Sequence, residues 1–422
     1  MRLSICIILA TLNLTVAGQN NIVNSLNTQA YQLLTTQPDS AYNLTRKSID
    51  LAYKSNDFKG AAYGHFYAGY VLQQKGYLKT SLEQYMYGIE AIKLVEGQSA
   101  RSLEIQLKNY CAWIYQLGDK HHRSVQYSDS AIQIAKSIDQ KSILPSLYRN
   151  KGITLVEDGK PDEALTPFLE ALDIATNLND VTEQSALFNE LGIAFIQVEK
   201  YPESRKYFYN LISSEADLGI DVWTANAYHQ IAYSQYLEGN LSEAIDSYKH
   251  SIEYAKERAN AKVQFLSSLD LGELFLNQGE ANAALQHLNT AVAFYNTVEP
   301  TAEHFVLFLH LSKAYKSIGL LDESLTASYQ YSSEFEKFTD LQLNLRQKEL
   351  GDGLEAQAKS FWEARKNERM VSGLLNTRNV LILIASLGLI GFVVYLVVGS
   401  YNKSRKKSKN KDSLGPHFSD IN

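Results

Sequence analysis

Ten side chains fall at matched offsets in a sequence that repeats, and their types are those of recognition. They are Tyr63, Phe66 and Tyr70, then Asn109 and Trp113, Arg149, Asn189, and finally His229, Tyr233 and Tyr236. Aromatic rings give large contact area with few rotors to freeze, and the amide of an Asn can bond an extended backbone. The chemistry open to them is capture of a peptide or protein rather than bond-making. A chain with 27 tyrosines places some on any face, so the row has meaning only through the register that carries it.

Residue patterns for catalysis are absent. The chain has no Gly-rich phosphate loop after a strand, no His-Glu-x-x-His, no paired Cys and no Gly-x-Ser-x-Gly turn, so no enzymatic residue and no cofactor is nominated. The adjacent His121 and His122 fall in a segment, Gly118 to Arg123, that reads as a turn with one extra residue; neighbours in a loop lack the i, i+4 geometry of a helical metal site. His229, His250, His304 and His310 read as packing or surface histidines. Cys6 sits in an N-terminal apolar run, which leaves Cys111 alone after its removal and excludes an intramolecular disulfide framework.

The elements that would position the ten residues come from a period of 40. A small residue recurs at Gly69, Ala112, Gly152, Gly192, Ala232, Gly272 and Ser312, with intervals of 43 and then five of 40. Seven residues later a turn residue recurs at Gly76, Gly159, Gly239, Gly279 and Gly319, with Glu199 in one copy. Five further on stands a second small residue, at Ser81, Ala164, Ser204, Ala244, Ala284 and Ser324. This spacing fits helix, turn and second helix: the first small residue lets helix A lie close to its partner, and the turn Gly adopts φ > 0 where helix A stops. Leu191, Ile231, Leu271 and Leu311 on helix A, with Tyr85, Phe168, Phe208, Tyr248 and Leu288 on helix B, read as core between pairs. One pair cannot bury its apolar face alone, so neighbours must stack.

The pattern resembles the tetratricopeptide repeat family. Leu191-Gly192, Phe195, Tyr201, Ser204 and Phe208 fall on its signature spacing, as do Gly152, Gly159, Ala164, Phe168 and Ala171. The period is 40 and not 34, which resembles the longer-helix subgroup of regulatory and scaffold proteins. The resemblance implies an all-α, right-handed superhelical solenoid of antiparallel helix pairs, with a concave groove lined by the A helices and the ten residues on it. The carboxylate clamp of some relatives is not implied, since its positions hold Phe66 and Tyr70, Asn109 and Trp113, or Arg149 and Ile153.

The ends of the chain have a different character. Residues 1–18 read as a signal peptide, with Arg2, an apolar stretch from Leu3 to Val16 and the small-residue site Val16-Ala17-Gly18; an uncleaved anchor is the alternative. Residues 19–61 form a degenerate N-terminal helical cap, 62–331 a solenoid of about seven repeats, and 332–379 a capping helix and juxtamembrane stem that could pair in a homodimer. Residues 380–398 are uncharged and, at 1.5 Å per residue, reach about 28 Å, the thickness of a bilayer core. The tail 399–422 carries six Lys/Arg against Asp412 and Asp420, as expected of a short cytoplasmic flank in contact with anionic lipid. With a net charge of −6 overall, residues 1–399 carry −10, a poor match for nucleic acid.

The expectation is therefore a single-pass membrane protein with its N-terminal domain exported, periplasmic or extracellular, and its C-terminus cytoplasmic. Its repeats would bind a protein or peptide ligand outside the inner or plasma membrane, as a signalling or regulatory accessory or, alternatively, as a scaffold for envelope complexes. The layout resembles the exported sensor half of membrane-anchored bacterial tetratricopeptide regulators, with no output domain after Gly399.

Overall fold

The structure, a computed structural model, describes residues 19–218, 223–298 and 302–346, together with residue 360. The expected signal peptide 1–18, membrane span 380–398 and basic tail, and most of the stem, lie outside the described residues. Sixteen helices and no strand are found among the described residues. They belong to the first of two units, Met1–Glu355 and Ala356–Asn422.

Helix α1 is described over 19–33 and is followed by α2 (Pro38–Ser55). Seven pairs then repeat: α3 (Phe58–Gln74) with α4 (Leu78–Ile92), α5 (Gln98–Leu117) with α6 (His121–Ser137), α7 (Leu144–Glu157) with α8 (Pro161–Asn177), and α9 (Val181–Gln197) with α10 (Tyr201–Leu218). They continue as α11 (Thr224–Glu238) with α12 (Leu241–Glu257), α13 (Ala261–Asn277) with α14 (Ala281–Phe294), and α15 (Ala302–Ser317) with α16 (Leu321–Arg346). From α2 onward, each helix packs chiefly on its neighbours in sequence, so the unit is a linear stack.

The small residue of each A helix does what its position requires. A Cβ on Gly152 would stand 2.4 Å from Phe168, one on Gly192 2.5 Å from Phe208, and one on Gly69 2.5 Å from Tyr85. The ring from helix B thus occupies the missing side chain's place, and Tyr85, Phe168, Phe208 and Tyr248 are fully buried, each ring contributing roughly 1.5–3 kcal/mol by leaving water. The second small residue completes the approach: Ser81 Oγ donates to the Gly69 carbonyl at 2.7 Å and Ser324 Oγ to that of Ser312 at 3.0 Å. Between pairs, Leu187, Leu191 and Phe195 of α9 join Phe168 of α8 in one apolar cluster.

Helix A ends in a two-bond αL turn. At Gly159 (φ +71°) the Gly159 N–H donates to the Val156 carbonyl and that of Lys160 to Leu155, satisfying carbonyls the helix leaves open. Glu199 (φ +59°) and Asp119 (φ +55°) take the same conformation without being Gly. Asp119 stands seven residues after Ala112, so the segment Gly118–Arg123 carries no extra residue. His121 and His122 are not in a loop but open α6, where His122 Nε2 is 3.0 Å from Gln126 Nε2. The three extra residues of the first interval lie earlier: Lys93–Gly97 connect α4 to α5, and α5 starts 14 residues before Ala112 where α9 starts 11 before Gly192. At the start of α11, buried Glu215 of α10 accepts from Trp223 N–H (2.9 Å), Thr224 N–H (2.8 Å) and the Thr224 hydroxyl (2.7 Å); a carboxylate at a helix N-terminus is favourably placed.

The two rows of helices are not equivalent. Successive A helices from α3 to α15 touch one another, whereas successive B helices make no comparable contact. Between α14 and α16, over α15, lies a hollow of about 460 Å³ lined by Val292, Phe308, Tyr315 and Ala327 among others. The A helices therefore form the inner side of the curve. Helix α16 continues through position 331 without a break, and Phe335 and Phe338 pack on Phe305 of α15 at 5.4 Å each. Leu321, Leu325 and Tyr329 on α16 are largely exposed, while Ala281, the α14 counterpart of Leu321, is buried.

Candidate functional site

The ten residues singled out from the sequence lie on α3, α5, α7, α9 and α11, all inner helices, but they divide by what surrounds them. Tyr63, Phe66 and Tyr70 on α3 belong to a continuous group of rings. Phe66 meets Tyr110 of α5 edge-on at 5.4 Å, Tyr70 meets Tyr110 at 6.3 Å, and Tyr63 stacks on Tyr67, which in turn reaches Tyr31 of α1 at 5.7 Å. Burial, aided by Tyr63 and Tyr31, pushes the Tyr67 hydroxyl up to about 12, so this ring remains neutral. Trp113, one turn beyond Tyr110, is 38% exposed.

The polar members are engaged with neighbouring helices. Asn109 accepts from Asn150 of α7 at 3.1 Å. Arg149 Nε donates to Glu183 of α9 at 2.7 Å, with both side chains largely covered. Asn189, buried, accepts from Asn226 of α11 at 3.3 Å and donates to Glu190. His229, also buried, shares a 3.0 Å hydrogen bond with Ser267 and lies 3.6 Å from Asp270, both on α13. Tyr236 accepts from Asn277 at 2.7 Å. Five of the ten thus tie one inner helix to the next, and Asn189 and His229 are interior residues. Tyr233, at 36% exposure, is the open ring of this end, its hydroxyl pushed upward by burial and by Asp270 and Glu273.

Projection from the repeat missed a neighbouring row: Tyr67, Tyr110, Asn150, Glu190, Asp270 and His310 occupy one offset, two residues before each small residue. The signal was present, because two aromatics and then a run of polar residues recur there. Glu190 is the unusual member, since burial raises its carboxyl above the usual range, against the lowering effects of Asn189 and Arg149. His310 lies 3.9 Å from Glu273, and burial lowers its imidazole. Among the described residues no three His, Cys, Asp or Glu side chains converge as a metal site would require.

Comparison with known proteins gives the fold. No protein-family model matches the chain. Tetratricopeptide repeat protein 29 of Macaca fascicularis is 24% identical over 152 residues, 36% of this chain and 32% of that protein, so the chain spans about a third of that relative's length. The apo form of the quorum sensor NprR from B. thuringiensis superposes with a TM-score of 0.54 at 16% identity, covering 74% of this chain and 87% of the other. The apo form of RapI gives 0.52 at 13%, covering 66% and 99%. The helical array is of the tetratricopeptide type.

Proposed function

We propose that this chain, a tetratricopeptide-like array, is a membrane-tethered interaction module whose inner face binds an extended segment of a protein or peptide. The observation that carries the reading is the contrast on that face. Its Asn, Arg and His side chains are spent on neighbouring helices, while Trp113 and Tyr233 stay open beside further rings. Open aromatics on a rigid, internally bonded surface are the usual anchors of binding energy. The likeness of the fold to that of a quorum sensor agrees with a regulatory role.

The tether rests on sequence: the uncharged run 380–398 and the Lys/Arg cluster after it place the array outside and the tail inside. Among the described residues no helix is long and apolar enough to cross a membrane, and 380–398 lies outside them. Alkaline extraction of membranes should leave the full chain in the pellet and release a chain ending at residue 379; release of both would remove the tether.

The deciding experiment is crosslinking of the full chain in its own cells, with a Trp113→Ala, Tyr233→Ala control, and mass spectrometry of what is captured. An exported protein or peptide lost in the control supports the binding face. Capture unaffected by the control moves the working surface elsewhere. Deleting residues 400–422 separates the two roles, since a signalling accessory loses output with capture intact and an assembly scaffold loses neither.

A further inference from the structure

The inner face changes character along its length. Helices α3 and α5 present rings, and α9 to α13 present carboxylates among tyrosines. Among the described residues, Glu190 on α9 and Glu273 on α13 have no Lys or Arg within ion-pair distance. Arg149, which acts on Glu190 electrostatically, is already held by Glu183 at 2.7 Å. Glu273 lies 3.9 Å from His310, whose charging burial opposes. Asp270 adds a third carboxylate near Tyr233, and Tyr236 stands one turn further along the same helix. Burial disfavours the charged form of Glu190, and an arriving cation offsets that cost, while Glu273 and Asp270 extend the negative surface. Tyrosine rings beside carboxylates suit an ammonium or guanidinium, which gains from the ring face as well as from the opposite charge.

We propose that the stretch from Glu190 to Glu273 receives a lysine or arginine side chain of an extended peptide, while an apolar residue of the same peptide lies on the surface made by Phe66, Tyr110 and Trp113. The inference rests on the reading of the inner face as the binding face and gives its ligand a chemistry. The geometry also sets a length. Packed helices stand about 8–10 Å apart, so the path from α5 across α7 to α9 is roughly 16–20 Å, and to α13 it is about twice that. An extended chain covers at most about 3.3–3.6 Å per residue. The apolar and cationic residues of the ligand are thus separated by about four to six positions when Glu190 is engaged and by about nine to twelve when Glu273 is.

The test is selection of a phage-displayed random dodecapeptide library on the full chain purified in detergent, repeated on two variants that keep the parent's helical circular dichroism spectrum at the selection temperature: Trp113→Ala, and Glu190→Gln with Glu273→Gln. The expected peptides carry Lys or Arg together with an aromatic or aliphatic residue. They bind the Gln pair about tenfold more weakly, a change of about 1.4 kcal/mol, and lose affinity for the parent as salt is raised. Peptides that depend on Trp113 but carry no basic residue and ignore the Gln pair would overturn the cationic ligand and leave the binding face standing. No selected peptide, or peptides indifferent to both variants, would overturn the two together.

Discussion

The ring of Phe208 lies so close to Gly192 that a Cβ there would stand 2.5 Å from its Cζ. Gly192→Leu must therefore displace a fully buried ring, and the expected loss is about 1–3 kcal/mol or more. Urea denaturation of the variant measures it. A loss under about half a kcal/mol would mean that the ring is not locked against the backbone.

The turns permit a test of opposite sign. Ala259 holds φ +53° with a Cβ, and Gly159 holds φ +71° with open space where a Cβ would be. Ala259→Gly should stabilise by about 1 kcal/mol and Gly159→Ala destabilise by a similar amount, because αL backbone costs an L-residue about 1–2 kcal/mol. Thermal melting of both variants checks the pair, and equal signs would contradict the argument.

Acid should weaken the array in a defined window. Burial lowers the imidazoles of His287 and His310 below their ordinary 6.5, so between that value and their folded-state values the unfolded chain binds more protons than the folded one. Their contribution is intact above pH 6.5 and is lost as pH falls through the lowered values. Replacing both by Gln should flatten the melting temperature between pH 7.5 and 5.5 relative to the parent.

Glu190 has the opposite linkage. Its carboxyl is raised by burial above the ordinary 4.5, so its ionised form burdens the fold, and stability is lost as pH rises through the raised value. Glu190→Gln should raise the melting temperature at pH 7 and leave it unchanged below pH 4.5. The same variant is expected to lose affinity for a cationic peptide, so stability and binding should move in opposite directions.

Trp113→Ala and Tyr233→Ala should each weaken partner binding by about 1–4 kcal/mol while the melting temperature stays near the parent's. Binding by titration and melting by circular dichroism are to be read on the same samples. Equal affinity in both variants would clear the inner face of the role.

The helix pairs were legible in the sequence because one short-range rule, a small residue facing a large one with a turn between, repeats at 40. The face was legible only in part. Asn189 and His229 occupy the same repeat offset as Phe66, yet their amide and imidazole are drawn inward to partners on α11 and α13, a pairing between repeats that no single repeat encodes. The row of Tyr67, Tyr110 and Glu190 escaped for a related reason: an offset fixes a side chain's direction on its own helix, not how closely the next helix covers it. The αL state of Asp119 was equally hidden, since its residue type allows other conformations and only the constant spacing of seven from Ala112 marks it. That misplaced the extra residues of the first interval and, with them, His121 and His122.

Polar links such as Asn109 to Asn150, Arg149 to Glu183 and His229 to Ser267 run along the inner row, while the outer row is spaced apart. In a bent beam the line that keeps its length is its neutral axis, and here the cross-linked inner helices supply it. Flexing of the array then opens or closes the gaps between outer helices and leaves the distance from Trp113 to Tyr233 nearly constant. A ligand seated along that line would keep its register while the array around it gives way.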